Sequence, residues 1–328
     1  MKRKLKLRLA ILCTAAAIAG CGLPVPPAVP GTLTAAGAAR PDRGSAWMLP
    51  DAGRQDLLYV SAGSSVYVYA YKTRELVGTL IGFQTPQGEC ATASGNVFIT
   101  DSTSNQITEY RHGATRPVTA LADFDDSRPL GCSVNPSNGD VCVANFNNAS
   151  ISVFTAARGK PRVYSTKGIV SGDATCAYDG KGDMFVAGPN DDISGISQFA
   201  YLPKGATSFV RVNPLPASSW TWINVWSVQW DGEYWEIADD GAFRFTIEKN
   251  GAALYEGTTN LPGISSEAQA WIVKFNTQKG SQGSQIVAVN NRTSGSVHVW
   301  TYPKGEAVGS ITDGLTDPFG VTLSLAPK

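Results

Sequence analysis

The chain is short of charge, of histidine and of any long apolar run. Charged residues make up 16% of its 328 residues, below the share of about 25% usual in soluble domains. Beyond the first eight positions no segment concentrates basic residues, so no nucleic-acid partner is expected. His112 and His298 are the two histidines, too few for a metal centre built on imidazole. Neither falls in a loop expected to face a functional opening, so Ser-His-Asp chemistry lacks its parts as well. The apolar stretch from Leu9 to Gly20 is too short to span a bilayer. What is plentiful is glycine, 34 residues, with 19 prolines spread along the chain, a composition suited to many short elements and tight turns.

The first eight residues carry Lys2, Arg3, Lys4, Lys6 and Arg8, and with the apolar run behind them they have the form of a secretory signal. Removing them takes away no acid and leaves 22 basic against 27 acidic residues, a net charge of about −5. The sequence Ile18-Ala19-Gly20-Cys21 resembles the lipobox of bacterial lipoproteins. The resemblance implies a signal peptide over residues 1–21, cleavage before Cys21 and diacylglycerol on its sulfur. Simple secretion with an ordinary thiol is the alternative. Gly22 stands where an Asp would mark inner-membrane retention, which implies an outer-membrane or cell-surface location, with the lipid as the sole membrane contact. Residues 22–50 are rich in Pro, Ala and Gly without periodicity and read as a tether, although Trp47 to Leu49 could already pack on the folded domain. Residues 51–328 are expected to form that domain, a single one, as a monomer.

Residues 86–110, PQGECATASGNVFITDSTSNQITEY, set the pattern for the domain. They give a Pro-x-Gly start, a short inner strand, a Gly-Asn turn, an alternating strand, an Asp-led polar loop and a second alternating strand. Similar order recurs at 129–154, 173–188, 226–239 and 270–300. Centring each second strand on Tyr59, Phe98, Cys142, Phe185, Glu236 and Val287 gives separations of 39, 44, 43, 51 and 51 residues. Such periods predict an all-β fold, a six-bladed β-propeller of four-stranded antiparallel blades. The chain opens on a second-type strand at Leu57 and closes on an inner-type strand at Asp317 to Leu323, which predicts that the C-terminal strand joins the first blade and closes the ring.

Pro86, Gly88, Gly95-Asn96, Val97-Phe98, Asp101, Asn105 and Ile107 resemble the repeat of NHL-type and gluconolactonase-like six-bladed propellers. The match is good in this blade, partial in the next two and loose after residue 190. Thr92 or Ala93 stands where NHL repeats carry Asp, which favours the wider superfamily over the strict NHL family. Gluconolactonase-like enzymes hold a divalent cation through Glu, Asn and Asp, and the resemblance offers Glu89, Asn145 and Asp239 as counterparts for calcium.

Loops joining second to third strands carry Asp101, Asn145, Asp191, Asp192, Asp239, Asp240 and Asn290. A ring of carboxylates and amides suits calcium or a polyhydroxylated ligand, and Asp and Asn are also ordinary turn residues. Cys90, Cys132 and Cys176 read as sharing one inner-strand position, as small apolar residues between blades. Cys132 and Cys142 lie symmetrically about Ser137 in one hairpin, a spacing that admits a disulfide in an exported domain. Ser218 to Trp235 holds five of the eight tryptophans. Trp226, Trp230 and Trp235 are expected to pack between blades, whereas Trp220 and Trp222 either pack or form a stacking platform for a sugar. Two functions are compatible with these residues: a lipid-anchored binding module for a protein or glycan at the funnel face, without a cofactor, and, as the alternative, a calcium-dependent lactonase-like hydrolase.

Overall fold

Short runs of β-branched and aromatic residues, bounded by Gly, Asn and Asp turns, favour strands joined by hairpins, and the computed structural model is built of them. It describes residues 44–172, 174–189, 197–215, 227–238, 241–248, 251–263, 273–275, 284–291, 295–312 and 314–327. The first strands are β1 (Trp47–Met48), β2 (Leu57–Ala62), β3 (Ser65–Ala70) and β4 (Leu76–Leu80). Next come β5 (Pro86–Ala91), β6 (Val97–Asp101), β7 (Gln106–Tyr110) and β8 (Pro117–Ala122), then β9 (Pro129–Val134), β10 (Val141–Asn145), β11 (Ser150–Phe154) and β12 (Arg162–Ser165). They are followed by β13 (Thr175–Tyr178), β14 (Met184–Pro189), β15 (Ser197–Leu202) and β16 (Val210–Leu215), and by β17 (Ser227–Trp230), β18 (Trp235–Ala238), β19 (Gly241–Ile247) and β20 (Ala252–Asn260). The last are β21 (Val273–Phe275), β22 (Ser284–Asn291), β23 (Ser296–Tyr302), β24 (Ala307–Ile311) and β25 (Pro318–Ser324).

Hydrogen bonding arranges these as antiparallel meanders of four: β5-β6-β7-β8, β9-β10-β11-β12 and β21-β22-β23-β24, each a separate sheet. The meanders β13–β16 and β17–β20 are fused into one eight-stranded sheet by a parallel pairing of Asn213 to Leu215 with Ala252 to Leu254. The remaining sheet has the order β1-β4-β3-β2-β25, so the last strand of the chain completes the sheet that the first strands begin, with Leu57 opposite Ser324 and Ser61 opposite Gly320. All six centres taken from the repeat spacing fall in strands, β2, β6, β10, β14, β18 and β22. The innermost strands β25, β5, β9, β13, β17 and β21 neighbour one another in that order, and β21 neighbours β25 again.

Period-two alternation gives each meander two faces, and both are buried against neighbouring meanders. Phe98, Ile107 and Leu121 of the second meander meet Val141, Val143 and Phe154 of the third. Cys142, Ile151 and Val153 on the third's other face meet Cys176, Met184 and Val186 of the fourth. Phe185 and Phe199 meet Val228, Trp235 and Phe245, with Phe185 stacked on Trp235 at 5.1 Å. Fully burying each such side chain contributes roughly 1.5–3 kcal/mol, so these seams are the core. Trp230 and Trp235 pair across the β17–β18 hairpin at 5.1 Å and pack in that third seam. Trp226 lies outside the described residues.

The cysteines differ from the expectation twice over. The bonds are Cys90–Cys132 and Cys142–Cys176, with Cα atoms 5.6 and 6.5 Å apart, not Cys132–Cys142. The hairpin closes with Asn135 N–H donating to Asp140 O, and Cys132 then opposes Val143 while Cys142 opposes Ser133. A one-residue change of register turns a side chain to the other face, so Cys132 points to the second meander and Cys142 to the fourth. Nor do the three inner-strand cysteines share a position. Cys90 stands two residues before its turn residue Thr92, whereas Cys132 and Cys176 stand three before Asn135 and Asp179. Cys90 therefore faces forward and Cys132 backward, and they meet across the seam.

Candidate functional site

The inner strands enclose a channel with a cavity of about 680 Å³, lined by β5, β9, β13, β17 and β25. Small and hydroxylated residues line it, among them Ser133, Thr175, Ser227 and Thr322, with Gln229 and Trp230, and Asp231 is the one charged residue among the described lining. Pro136, Gly180 and Gly232 place this cavity at the end of the turns that follow the inner strands. Those turns share one device. Thr92 Oγ1 accepts from Asn96 N–H at 2.9 Å, Asn135 Oδ1 from Ser137 N–H at 2.9 Å, and Asp179 Oδ1 from Lys181 and Asp183 N–H at 2.8 and 2.9 Å. Asp231 Oδ1 does the same for Glu233 and Tyr234 N–H at 2.7 and 2.6 Å.

Beside Asp231 lies an exception to the apolar seams. The face of β17–β20 toward β21–β24 carries Gln229, Glu236 and Arg244 in one cross-strand row. Tyr302, at the end of β23, brings its hydroxyl to Asp231 Oδ2 at 2.5 Å and to Glu236 Oε1. Arg244 Nε stands 3.9 Å from the same Glu236 oxygen, and Glu236 Oε2 has no hydrogen-bond partner among the described residues. Glu236 is 2% exposed. Burial, aided by the charge of Asp231, pushes its carboxyl up to about 8 against the opposing pull of Tyr302 and Arg244. Tyr302 is raised as well, by burial and by its two carboxylate neighbours.

The residues expected to form a ligand ring are at the opposite end, and those described are turned inward. Asp101 closes β6, is 3% exposed, and accepts from Gln84 N–H at 2.8 Å and Thr85 N–H at 2.9 Å. Glu89 is fully buried and accepts from Ser61 Oγ across the seam between the sheet of β2–β4 and the β5–β8 meander. Asn145 ends β10, buried, donating to Ser152 Oγ at 2.9 Å, which in turn donates to Asp123 Oδ1 at 2.7 Å. Glu89 and Asn145 thus lie in different seams, with the β5–β8 meander between them, and each is engaged there by a neighbouring side chain. Among the described residues no group of three or more His, Cys, Asp or Glu is placed to hold a metal ion. Asp191, Asp192, Asp239, Asp240, Trp220 and Trp222 lie outside the described residues, and Asn290 is placed only as a backbone position of β22. His112 bonds Ser324 Oγ at 2.6 Å and Gln55 O at 3.1 Å, and His298 stacks on Trp300 at 5.6 Å; burial lowers both pKa values.

Glu236, Tyr302, Asp231 and Asp123 are absent from the residues expected from sequence. Glu236 had a signal: in the column Tyr59, Phe98, Cys142, Phe185, Glu236, Val287 it is the one charged residue. Tyr302 had none, because its role depends on which neighbour the strand's end meets.

No family model and no curated protein matches the chain. Solved structures do. A chain of the nidogen/laminin complex superposes with a TM-score of 0.60 at 13% identity, covering 83% of this chain and 100% of that one. Hydrazine synthase of Kuenenia stuttgartiensis gives 0.55 at 13% identity, over 83% of this chain and 87% of its own. The fold is a β-propeller. The meanders are its blades, and the channel is the propeller's axis.

Proposed function

We propose that this chain is an exported, lipid-anchored, six-bladed propeller of the NHL and gluconolactonase-like superfamily that acts as a binding module rather than an enzyme. Six second strands at blade spacing and the cyclic order of the inner strands support the blade count. Two disulfides support an oxidising compartment, and the lipobox-like residues before Cys21 support an anchor, which Cys21→Ser tests by releasing the protein from the membrane fraction. The observation that carries the function is the channel end, a cavity whose described walls are neutral and hydrogen-bonding apart from one carboxylate, Asp231. It suits a neutral hydroxyl- or amide-bearing group of a protein or glycan at the cell envelope. Fold likeness does not choose between activities: one neighbour comes from a protein–protein complex and the other carries an enzyme's name.

The test is capture of envelope components by the immobilised mature chain, with fractions pretreated by protease or by periodate. Loss after protease identifies a protein partner, and loss after periodate a glycan. Ser133→Trp, which fills the cavity, is expected to abolish capture. Calcium-dependent turnover of a lactone or ester panel would replace this reading with the hydrolase.

A further inference from the structure

A phenol has one proton to donate, yet the Tyr302 hydroxyl is in hydrogen-bond contact with two carboxyl groups, Asp231 and Glu236. It can donate to one, and the second contact then needs a proton on a carboxyl oxygen. Asp231 is the less suited holder, since its Oδ1 already accepts from two backbone N–H groups. Glu236 is the better one: it is 2% exposed, and its Oε2 has no hydrogen-bond partner among the described residues. The chain of donors therefore runs from the Glu236 carboxyl to Tyr302 and from Tyr302 to the Asp231 carboxylate, at the edge of the channel.

We infer that Glu236, Tyr302 and Asp231 form a proton-operated latch between blade β17–β20 and blade β21–β24, closed while Glu236 keeps its proton and released at the channel end when it loses it. The proton leaves to solvent, and two carboxylates are then left around one hydroxyl. Like charges at that separation repel, so Tyr302 keeps one partner and the seam loosens. The other groups on the seam do not undo this. Arg244 faces Glu236 from β19 at 3.9 Å and moderates the repulsion without reversing the direction set by burial. His298 shares the Tyr302 face of β23 and is held toward its neutral form by burial. Lys274 is the one titratable residue in the sequences of β21 and β22, and it is placed only as a backbone position opposite Val287.

The latch is read on the full mature chain by tryptophan fluorescence, since Trp300 shares the Tyr302 face of β23 and Trp230 directly precedes Asp231. A titration from about pH 6 to about pH 9 is expected to show a reversible transition centred at about 8. Glu236→Gln, a permanent mimic of the protonated form, is expected to lose the transition and keep the low-pH spectrum. Asp231→Asn removes the neighbouring charge and is expected to move the midpoint to lower pH; the turn tolerates Asn, which performs the same capping at Asn135. In the infrared, a protonated-carboxyl C=O band should vanish with the same midpoint. A transition that survives Glu236→Gln, a midpoint unmoved in Asp231→Asn, or an infrared spectrum without that band at neutral pH would each overturn the latch.

Discussion

Glu236 occupies the place that Tyr59, Phe98, Cys142 and Phe185 hold in other blades, and its burial makes folding pH-dependent. Its carboxyl rises from 4.5 to about 8 in the folded chain. Between those values the folded form keeps a proton that the unfolded form gives up. The stabilisation from that proton is complete below 4.5, declines as pH rises, and is gone above about 8. In that window the wild type should lose up to about 1.4 kcal/mol of stability per pH unit relative to Glu236→Gln, measured by urea unfolding at a series of pH values. Gly320 makes a purely steric prediction. A Cβ there would collide with Gln87 O and Glu89 Oε2 on the next inner strand. The first of these is backbone and cannot swing aside, so Gly320→Ala should cost at least about 1–3 kcal/mol and lower Tm by about 2–4 °C for each.

The hairpin is the element at which the sequence was read well in outline and missed in detail. Blade order and strand placement were legible, because repeat spacing and alternation are local properties, and Tyr59, Phe98 and Cys142 all fell where the period put them. Cysteine pairing was not, because it depends on the parity of a turn. Centring the hairpin on Ser137 puts Cys132 opposite Cys142, whereas the six-residue turn from Asn135 to Asp140 shifts the pairing by one and sends each sulfur into a different seam. Asp101 and Asn145 escaped for a related reason: they read as open loop residues, but each is the last residue of its strand and is buried there. The pairing is open to test by peptide mapping under non-reducing conditions, which should recover Cys90 joined to Cys132 and Cys142 joined to Cys176 and no Cys132–Cys142 peptide. The bonds close loops with sequence separations of 42 and 34, worth about 4 kcal/mol each in the chain-entropy account. Reduction should therefore lower the unfolding midpoint sharply, while Cys13 and Cys21, outside both pairs, leave it unchanged when replaced.

At the scale of the molecule, closure falls to the last strand. β25 supplies the innermost strand of the blade that β2, β3 and β4 begin, and Val321 packs with Leu58, Val60, Val297 and Val299 between the first and last blades. Remove it and two things happen together: β2 loses the partner along its whole length, and the seam between β21–β24 and the first blade loses an apolar side. β2 keeps β3 but becomes an exposed sheet edge, and such an edge is a template for another chain, so the fault is expected to appear as association and not only as lower stability. A chain ending at residue 316 should lose more than about 4 kcal/mol, beyond what single substitutions ordinarily cost, and should elute as dimers or larger species. A synthetic peptide of residues 314–328 added in excess should restore the monomer, because it supplies the strand without the covalent link. A truncated chain that stays monomeric and melts at the wild-type temperature would remove ring closure as a source of stability and leave the seams to hold the propeller alone.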